Sequence, residues 1–444
     1  DVKNVVVTES AKDTKVEVSK GNTVGTIVAD APVKIEGNGT IEKVEANVDG
    51  VEAGEDTVIK EVEKNENVTT APEVSKPEKP STGGGSTGGS TGPTYITRTV
   101  KNENDLITAI NNSSVDKIIV DGDIILTENT SLTIPEGRNV EISINDGVTL
   151  TLRAKASENK EYKSGLIING SLKLTGKGTL KNTTSRYTVF VYEGGNFTVD
   201  GATILSHHTD DNEIIKIRGK MTLNSGVIGD AEDNKTNTNI SVLGIGVGQG
   251  GEFVMNGGTI NSSWFGVATK GTESGQNITI TGGVINNVGN KTNIFYLPKA
   301  DTVTITDGTF NGYDGGIEMR QGNLIITGGI FTTTNSLDNS SAEWGSGESG
   351  SFWSTFAFGK PNNAAYGGDL TVNISGATIN SNKDAILLDT RYSYYADNVQ
   401  ITIAGNNISG NVKIVEGDSV KAWNAEPDNS YTWHSQTFDE RFEI

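Results

Sequence analysis

The sequence predicts an all-β chain that stacks short strands as a parallel β-helix of about eleven coils, preceded by a small β-rich module. Two observations point there. A strand-like unit recurs every 21 to 25 residues, with a few longer steps. Each copy alternates apolar and polar residues, turns on glycine or a polar residue, and adds one more apolar residue after the turn.

Residues 1–70 come first and contain no Phe, Trp or Tyr. They alternate Val and Ile with charges, as in "TKVEVSK" and "PVKIEGNGTIEKVEANVDGV". A core this thin is marginal by area, so a spacer or interaction module is expected rather than an active site. Residues 71–94, "APEVSKPEKPSTGGGSTGGSTGPT", read as a linker, stiff where Pro-rich and loose where Gly/Ser/Thr-rich.

The parallel β-helix is expected over residues 95–415. In "KNENDLITAINN", Asn102 or Asn104 is placed to cap a short helix with Leu106, Ile107 and Ile110 on one face. This helix should cover the open end of the stack, where unpaired strand edges would otherwise invite aggregation. The copies then start at Leu172, Phe197, Met221, Phe253, Ile278, Val303, Leu324, Leu370 and Ile401, which are 25, 24, 32, 25, 25, 21, 46 and 31 residues apart. The residue two further on is apolar in every copy, from Leu174 to Ile403, which buries one face and exposes the other. Glycine at the turn tolerates positive φ. A further strand closes most units, as in "YTVFVYEG", "EIIKIRG", "FGVATKG", "NIFYLPK", "GGIEMRQ" and "AILLDT". At about 4.8 Å per coil the stack would be roughly 50 Å long. Asn261, Asn286, Asn311 and Asn380 fall at one place in four copies and read as an asparagine ladder. Residues 416–444 lose the repeat and should cover the other end, with Trp423 and Trp433 as plugs.

The leading helix and the "ITITGGVIN" copies make residues 95–415 resemble the right-handed parallel β-helix, or pectin-lyase-like, surface proteins of Gram-positive bacteria. "VKIEGNGTIEKVEANVDGV" is similar to small β modules of secreted and S-layer-associated proteins of those bacteria. The resemblance implies an extracellular, cell-surface location. Its motifs are structural and specify the fold far more than the activity.

Composition narrows the function. Cysteine is absent, which excludes a disulfide framework and a thiolate metal site, and three His make a His-rich zinc site a poor expectation. A net charge of −20 disfavours nucleic acid and anionic membranes, and no apolar run is long enough to span a bilayer. The first residue, Asp1, reads as a start after cleavage or within an excised region.

Four sets of residues carry possible chemistry. The first is aromatic. The 46-residue step holds "DNSSAEWGSGESGSFWSTFAFGKPNNAAYG", with Trp344, Phe352, Trp353, Phe356, Phe358 and Tyr366, and "RYSYY" follows with Arg391, Tyr392, Tyr394 and Tyr395. Trp264 and Tyr296 on neighbouring coils would extend such a surface. Aromatic faces stack on sugar rings, and a loop on a rigid scaffold is a usual place for function. The plainer reading packs these rings against the scaffold. The second set is charged: Lys216 with Arg218, Lys299, and Glu318 with Arg320 near the third strand, with Asp314 close by and the acids Asp210, Asp211 and Glu213 upstream. A polysaccharide lyase needs a basic residue beside a carboxylate-bound Ca²⁺, and a hydrolase needs two facing carboxylates. The plainer reading is solvated charge. The third set is Asp230, Glu232 and Asp233 in "GDAEDNKTNTN", a weak candidate for Ca²⁺ that does not match an EF-hand loop and otherwise reads as a plain polar loop. The fourth is an outward column of Thr198, Thr222, Thr279, Thr304, Thr371 and Thr402, too interrupted to order water and well suited to exposed strands.

Together these predict a secreted or cell-surface protein that binds a polysaccharide or cell-surface glycan rather than an enzyme, with no required cofactor. A structural surface-layer component with surface-layer neighbours, and a Ca²⁺-dependent polysaccharide lyase, are the alternatives. An enzyme should show a basic residue and carboxylates converging in a groove. A binding module should show near-coplanar exposed Trp and Tyr without that convergence.

Overall fold

The computed structural model describes residues 2–8, 11, 14–18, 22–37, 39–53, 57–65, 68, 96–154, 164–183, 187–206, 212–230, 242–289, 292–334, 354–359, 368–390, 398–416 and 419–434. The chain divides into two compact units, Asp1–Thr91 and Gly92–Ile444.

The first unit is more regular than its sequence suggests. Val2–Val7, Thr23–Ala29, Thr40–Ala46 and Val58–Lys64 pair in parallel as one sheet. Thr14–Glu17, Val33–Glu36 and Val51–Ala53 pair in parallel as a second. Successive strands of this unit alternate between the two sheets, so it too is a stack of short parallel repeats. Partners such as Val24, Ile41 and Ile59 are joined through one register. Ile27, Ile35, Ile41 and Val44 form its aliphatic core. Outside, Lys15 and Lys34 reach Glu36 at 2.5 and 2.7 Å, and Lys43 bridges Glu45 and Glu63.

The second unit is all-β apart from one described α-helix, and most of its strands pair in parallel with a strand one repeat onward. That pairing is compatible with a parallel β-helix. Three series of strands run through it. The first contains Ser171–Gly176, Glu252–Met255, Asn277–Ile280 and Thr302–Ile305. The second contains Thr179–Asn182, Thr259–Ser262, Val284–Asn287 and Thr309–Gly312. The third contains Tyr187–Val191, Asn212–Ile217, Val242–Val247, Val267–Ala268, Asn293–Leu297, Gly315–Met319 and Phe356–Phe358. The apolar residues at the predicted inward phase form one buried cluster from Val100 to Ile414. In the glycine turns the second glycine takes the positive φ, as at Gly283 (φ 98°).

The register departs from the sequence reading in three places. Leu324 pairs with Val372, not Leu370, a slip of two residues. Because side chains alternate with period two, the slip leaves Leu370, Val372 and Ile374 all buried. It also puts Asn373, rather than Thr371, opposite Ile325 and Thr402. "VLGIGV", which the sequence reading did not single out, and "FAF", which it left in the long 46-residue step among candidate surface aromatics, are strands of the third series, and Phe356 and Phe358 are wholly buried rather than exposed. The asparagine ladder is real but shorter. Asn311 Nδ2 donates to Asn286 Oδ1 at 2.9 Å, and Asn286 Nδ2 to Asn261 Oδ1 at 3.0 Å. Thr332 separates Asn311 from Asn380.

Both ends of this unit are covered. Helix α1, Glu103–Asn111, is capped by Asn102, whose Oδ1 accepts from the Asp105 N–H at 3.0 Å. Its Leu106, Ala109 and Ile110 join the core. The buried Arg138 donates to the carbonyls of Ile110, Asn139 and Val115, so a cation satisfies acceptors at and just beyond the helix C-terminus. At the far end Tyr431–His434 pairs antiparallel with Val399–Ile403, and Ser419–Ala422 antiparallel with Asn407–Glu416. Trp423, Tyr431 and Trp433 pack on the end of the core.

Candidate functional site

The third series of strands has an outward row. Ile215, Ile217, Ile245 and Val247 point into the core, so the alternate residues Lys216, Gly246, Ala268, Tyr296 and Glu318 face out, each in register with the next. Between Lys216 and Tyr296 the row holds only Gly246 and Ala268. Two successive repeats with almost no side chain in this row leave a hollow, a cavity of about 280 Å³.

One wall is charged. Glu213 and Lys216 form an ion pair at 3.1 Å with both side chains buried. Glu213 lies over Gly246, where an added Cβ would sit 2.0 Å from Oε2. Arg218, which is exposed, pairs with Glu273 at 3.6 Å. Lys216, Arg218 and Glu273 all approach the vacant side of Gly248 within 3.2 Å of where its Cβ would be. The opposite wall is aromatic. Trp264 stacks on Phe265 (centroids 4.8 Å, 29°) and Phe265 on Tyr296 (4.7 Å, 14°). Leu243 and Ala268 back the rings, and Thr269 and Lys270 complete the rim.

Local hydrogen bonds hold this wall in place. The Trp264 N–H donates to Val242 O at 3.0 Å. The buried Asn287 donates from Nδ2 to Trp264 O at 2.6 Å and to Asn293 O at 3.2 Å, and its Oδ1 accepts from Thr292 Oγ1 at 2.8 Å. Asn287 therefore ties the Trp264 turn to the start of the strand that carries Tyr296. Two buried acceptors in the cavity lining, Glu213 Oε2 and Thr269 Oγ1, and a third beside Gly248, Glu273 Oε2, have no hydrogen-bond partner. For Glu213 Oε2 the contact with Lys216 is a close charge pair whose angles are not those of a hydrogen bond. Unmet buried acceptors of this kind cost about 1–3 kcal/mol each, a cost that an incoming donor relieves.

Beyond Tyr296 the row is charged again. Glu318 and Arg320 are fully buried. Arg320 Nε and Nη2 both donate to Glu318 Oε1, Asn293 Nδ2 donates to Oε2 at 3.0 Å, and the guanidinium carbon lies 5.9 Å from the Tyr296 ring centre. This pair fixes the back of the aromatic wall rather than presenting charge to solvent. The reading of Lys216, Glu318 and Arg320 as solvated charges is thereby corrected: on this face the outward position is buried, and each charge has an opposite partner within reach.

Lys216, Trp264 and Tyr296 are thus brought to one cavity, with Arg218 at its edge and Glu318 and Arg320 behind it. Lys299 is half-buried and does not line it, and Asp230 stands apart. Trp344, Phe352, Trp353, Tyr366, Arg391, Tyr392, Tyr394, Tyr395, Glu232 and Asp233 lie outside the described residues. Among the described residues no group of three or more His, Asp or Glu side chains is placed to hold a metal ion. The role of Glu273, Phe265 and Gly246 escaped the sequence reading. The available signal was "VLGIGVGQG", in which glycine repeatedly occupies the outward phase of a strand. No helix of the described residues is long and apolar enough to cross a membrane.

Outside the second series, a groove of about 550 Å³ follows the asparagine ladder past Asn311, Thr334 and Tyr313. Comparison with protein-family models, curated proteins and solved structures found no match to this chain.

Proposed function

We propose that residues 95–415 form a right-handed parallel β-helix and that the chain is a secreted or cell-surface protein that binds a polysaccharide or cell-surface glycan in the Trp264–Tyr296 cavity. One observation supports the reading: the half-buried Trp264 and Tyr296, stacked through Phe265, line one cavity with a buried carboxylate–ammonium pair. The rings are not fully exposed and charges converge beside them, which is also what admits the second reading below. The accessible part of Trp264, whose other face is stacked on Phe265, takes an apolar C–H face of a sugar, and the acceptors in the lining take its hydroxyls. The first unit then serves as a spacer.

The test is retention on immobilised plant, host and bacterial polysaccharides, with released saccharide read from the same wells. Trp264→Ala should weaken retention about tenfold or more, through lost stacking area. Retention that is unchanged by Trp264→Ala would remove the site, and no retention on any glycan would favour a structural surface-layer role.

A second reading, cleavage of the bound chain, is favoured by Glu213 and Lys216 paired in the cavity lining, with Glu273 nearby beside Gly248. Both carboxylates retain an oxygen without a donor. On that reading saccharide is released by the intact protein, and Glu213→Gln lowers release far more than it lowers retention.

A further inference from the structure

We infer that the cavity selects uncharged sugar residues bearing a vicinal diol, one hydroxyl donating to Glu213 Oε2 and its neighbour accepting from Lys216 Nζ. The inference rests on the glycan-binding reading above and specifies its ligand class.

The geometry supplies one acceptor and one donor side by side. Glu213 Oε2 and Lys216 Nζ are 3.1 Å apart, about one hydrogen-bond length, which is also the separation of the two oxygens of a vicinal diol. Both side chains are more than nine-tenths buried, so their placement is fixed by the strand and not by solvent. Glu213 Oε2 lacks a donor, and a hydroxyl supplies one. Glu213 fills the space over Gly246, so the ring takes the rest of the cavity, bounded by the ion pair, Ala268 and Trp264.

Charge balance sets the class. Glu213 and Glu273 bring two negative charges to the glycine floor, and Lys216 and Arg218 bring two positive ones. A uronate carboxylate docked there would face the two donorless carboxylate oxygens, and an amino sugar would face the two cations. A neutral diol satisfies the pair without leaving a buried charge unbalanced. Lys270 at the rim is exposed, so water and salt screen it.

The test uses immobilised galactomannan, xylan and amylose, each before and after periodate cleavage and borohydride reduction, together with polygalacturonate and chitosan. Periodate cuts the carbon–carbon bond between vicinal hydroxyls, so the loss of the diol is made in the ligand and the protein stays unaltered. The expected result is retention on at least one neutral polymer that falls about tenfold or more after periodate, with a comparable fall for Glu213→Gln. Retention that survives periodate, or tighter retention on polygalacturonate or chitosan than on any neutral polymer, overturns the inference. If that charged-polymer retention still depends on Trp264, glycan binding stands and only the diol falls. If no polymer is retained, both fall.

Discussion

Gly246 shapes the cavity by what it lacks. An alanine methyl there would lie 2.0 Å from Glu213 Oε2, so the carboxylate would have to leave its place beside Lys216. Gly246→Ala is expected to lower glycan retention about tenfold or more while costing about 1–3 kcal/mol of stability. Retention and thermal unfolding measured on the same preparation check both halves. Unchanged retention would mean that the position of Glu213 is irrelevant to binding. At this scale the sequence is informative about identity and silent about company. Lys216, Trp264 and Tyr296 stand out as residue types, but they meet only through the register Lys216–Gly246–Ala268–Tyr296. No local pattern announces that register. Glu318 and Arg320 are misleading for a related reason. Two charges at outward positions suggest solvent, and only the structure places Asn293 and the Tyr296 ring around them.

Among the elements, the strand Val33–Glu36 of the first unit shows how much surface charge can do in a stack with no aromatic side chain. Hydrogen bonds from Lys15 and then Lys34 hold the Glu36 carboxyl down at about 2, against an ordinary value of 4.5. A lowered carboxylate pKa stabilises the folded state fully above the ordinary value and loses that contribution as pH falls. The window here runs from about pH 4.5 down to about pH 2. The protection factors of the Val33–Glu36 amides, that is exchange relative to its intrinsic rate at each pH, should therefore fall across that window in the native chain, and Glu36→Gln should flatten the change. A profile identical in the two proteins would show that the lysine contacts do not form in solution. Ring fluorescence cannot report on this unit, because residues 1–70 have no Phe, Trp or Tyr. Alternation of Val and Ile with charge is enough to foresee strands here. It does not reveal that they stack in parallel, because short strands without a repeated glycine turn leave little periodic signal. The copies in the second unit are far more legible, since their inward residues and turns recur together. Their register is legible only where spacing stays near 25 residues, as from Phe253 through Ile278 to Val303.

For the whole of the second unit, the two ends matter as much as the middle. Helix α1 with Arg138 closes one, and the antiparallel strands Ser419–Ala422 and Tyr431–His434 close the other. Removing residues 417–444 would leave the edges of Val399–Ile403 and Asn407–Glu416 unpaired and expose the core beneath Trp433. The truncated chain is expected to associate in a concentration-dependent way that light scattering detects, whereas the intact chain does not. A truncated protein that stays dispersed would show that these strands are dispensable as a cover. Both covers were legible in outline, the helix from its cap and apolar face, the far end from the loss of repeat and its two Trp. The two-residue offset at Val372 has a further meaning. Within one strand a slip of two residues keeps the same face inward, whereas a slip of one would turn the strand inside out. Between strands the turns absorb changes of either parity, as steps of 25, 24 and 32 residues with Phe197, Met221, Phe253 and Ile278 all buried show, so descendants of such a chain would be expected to vary freely in turn length while conserving strand phase and the width of the core.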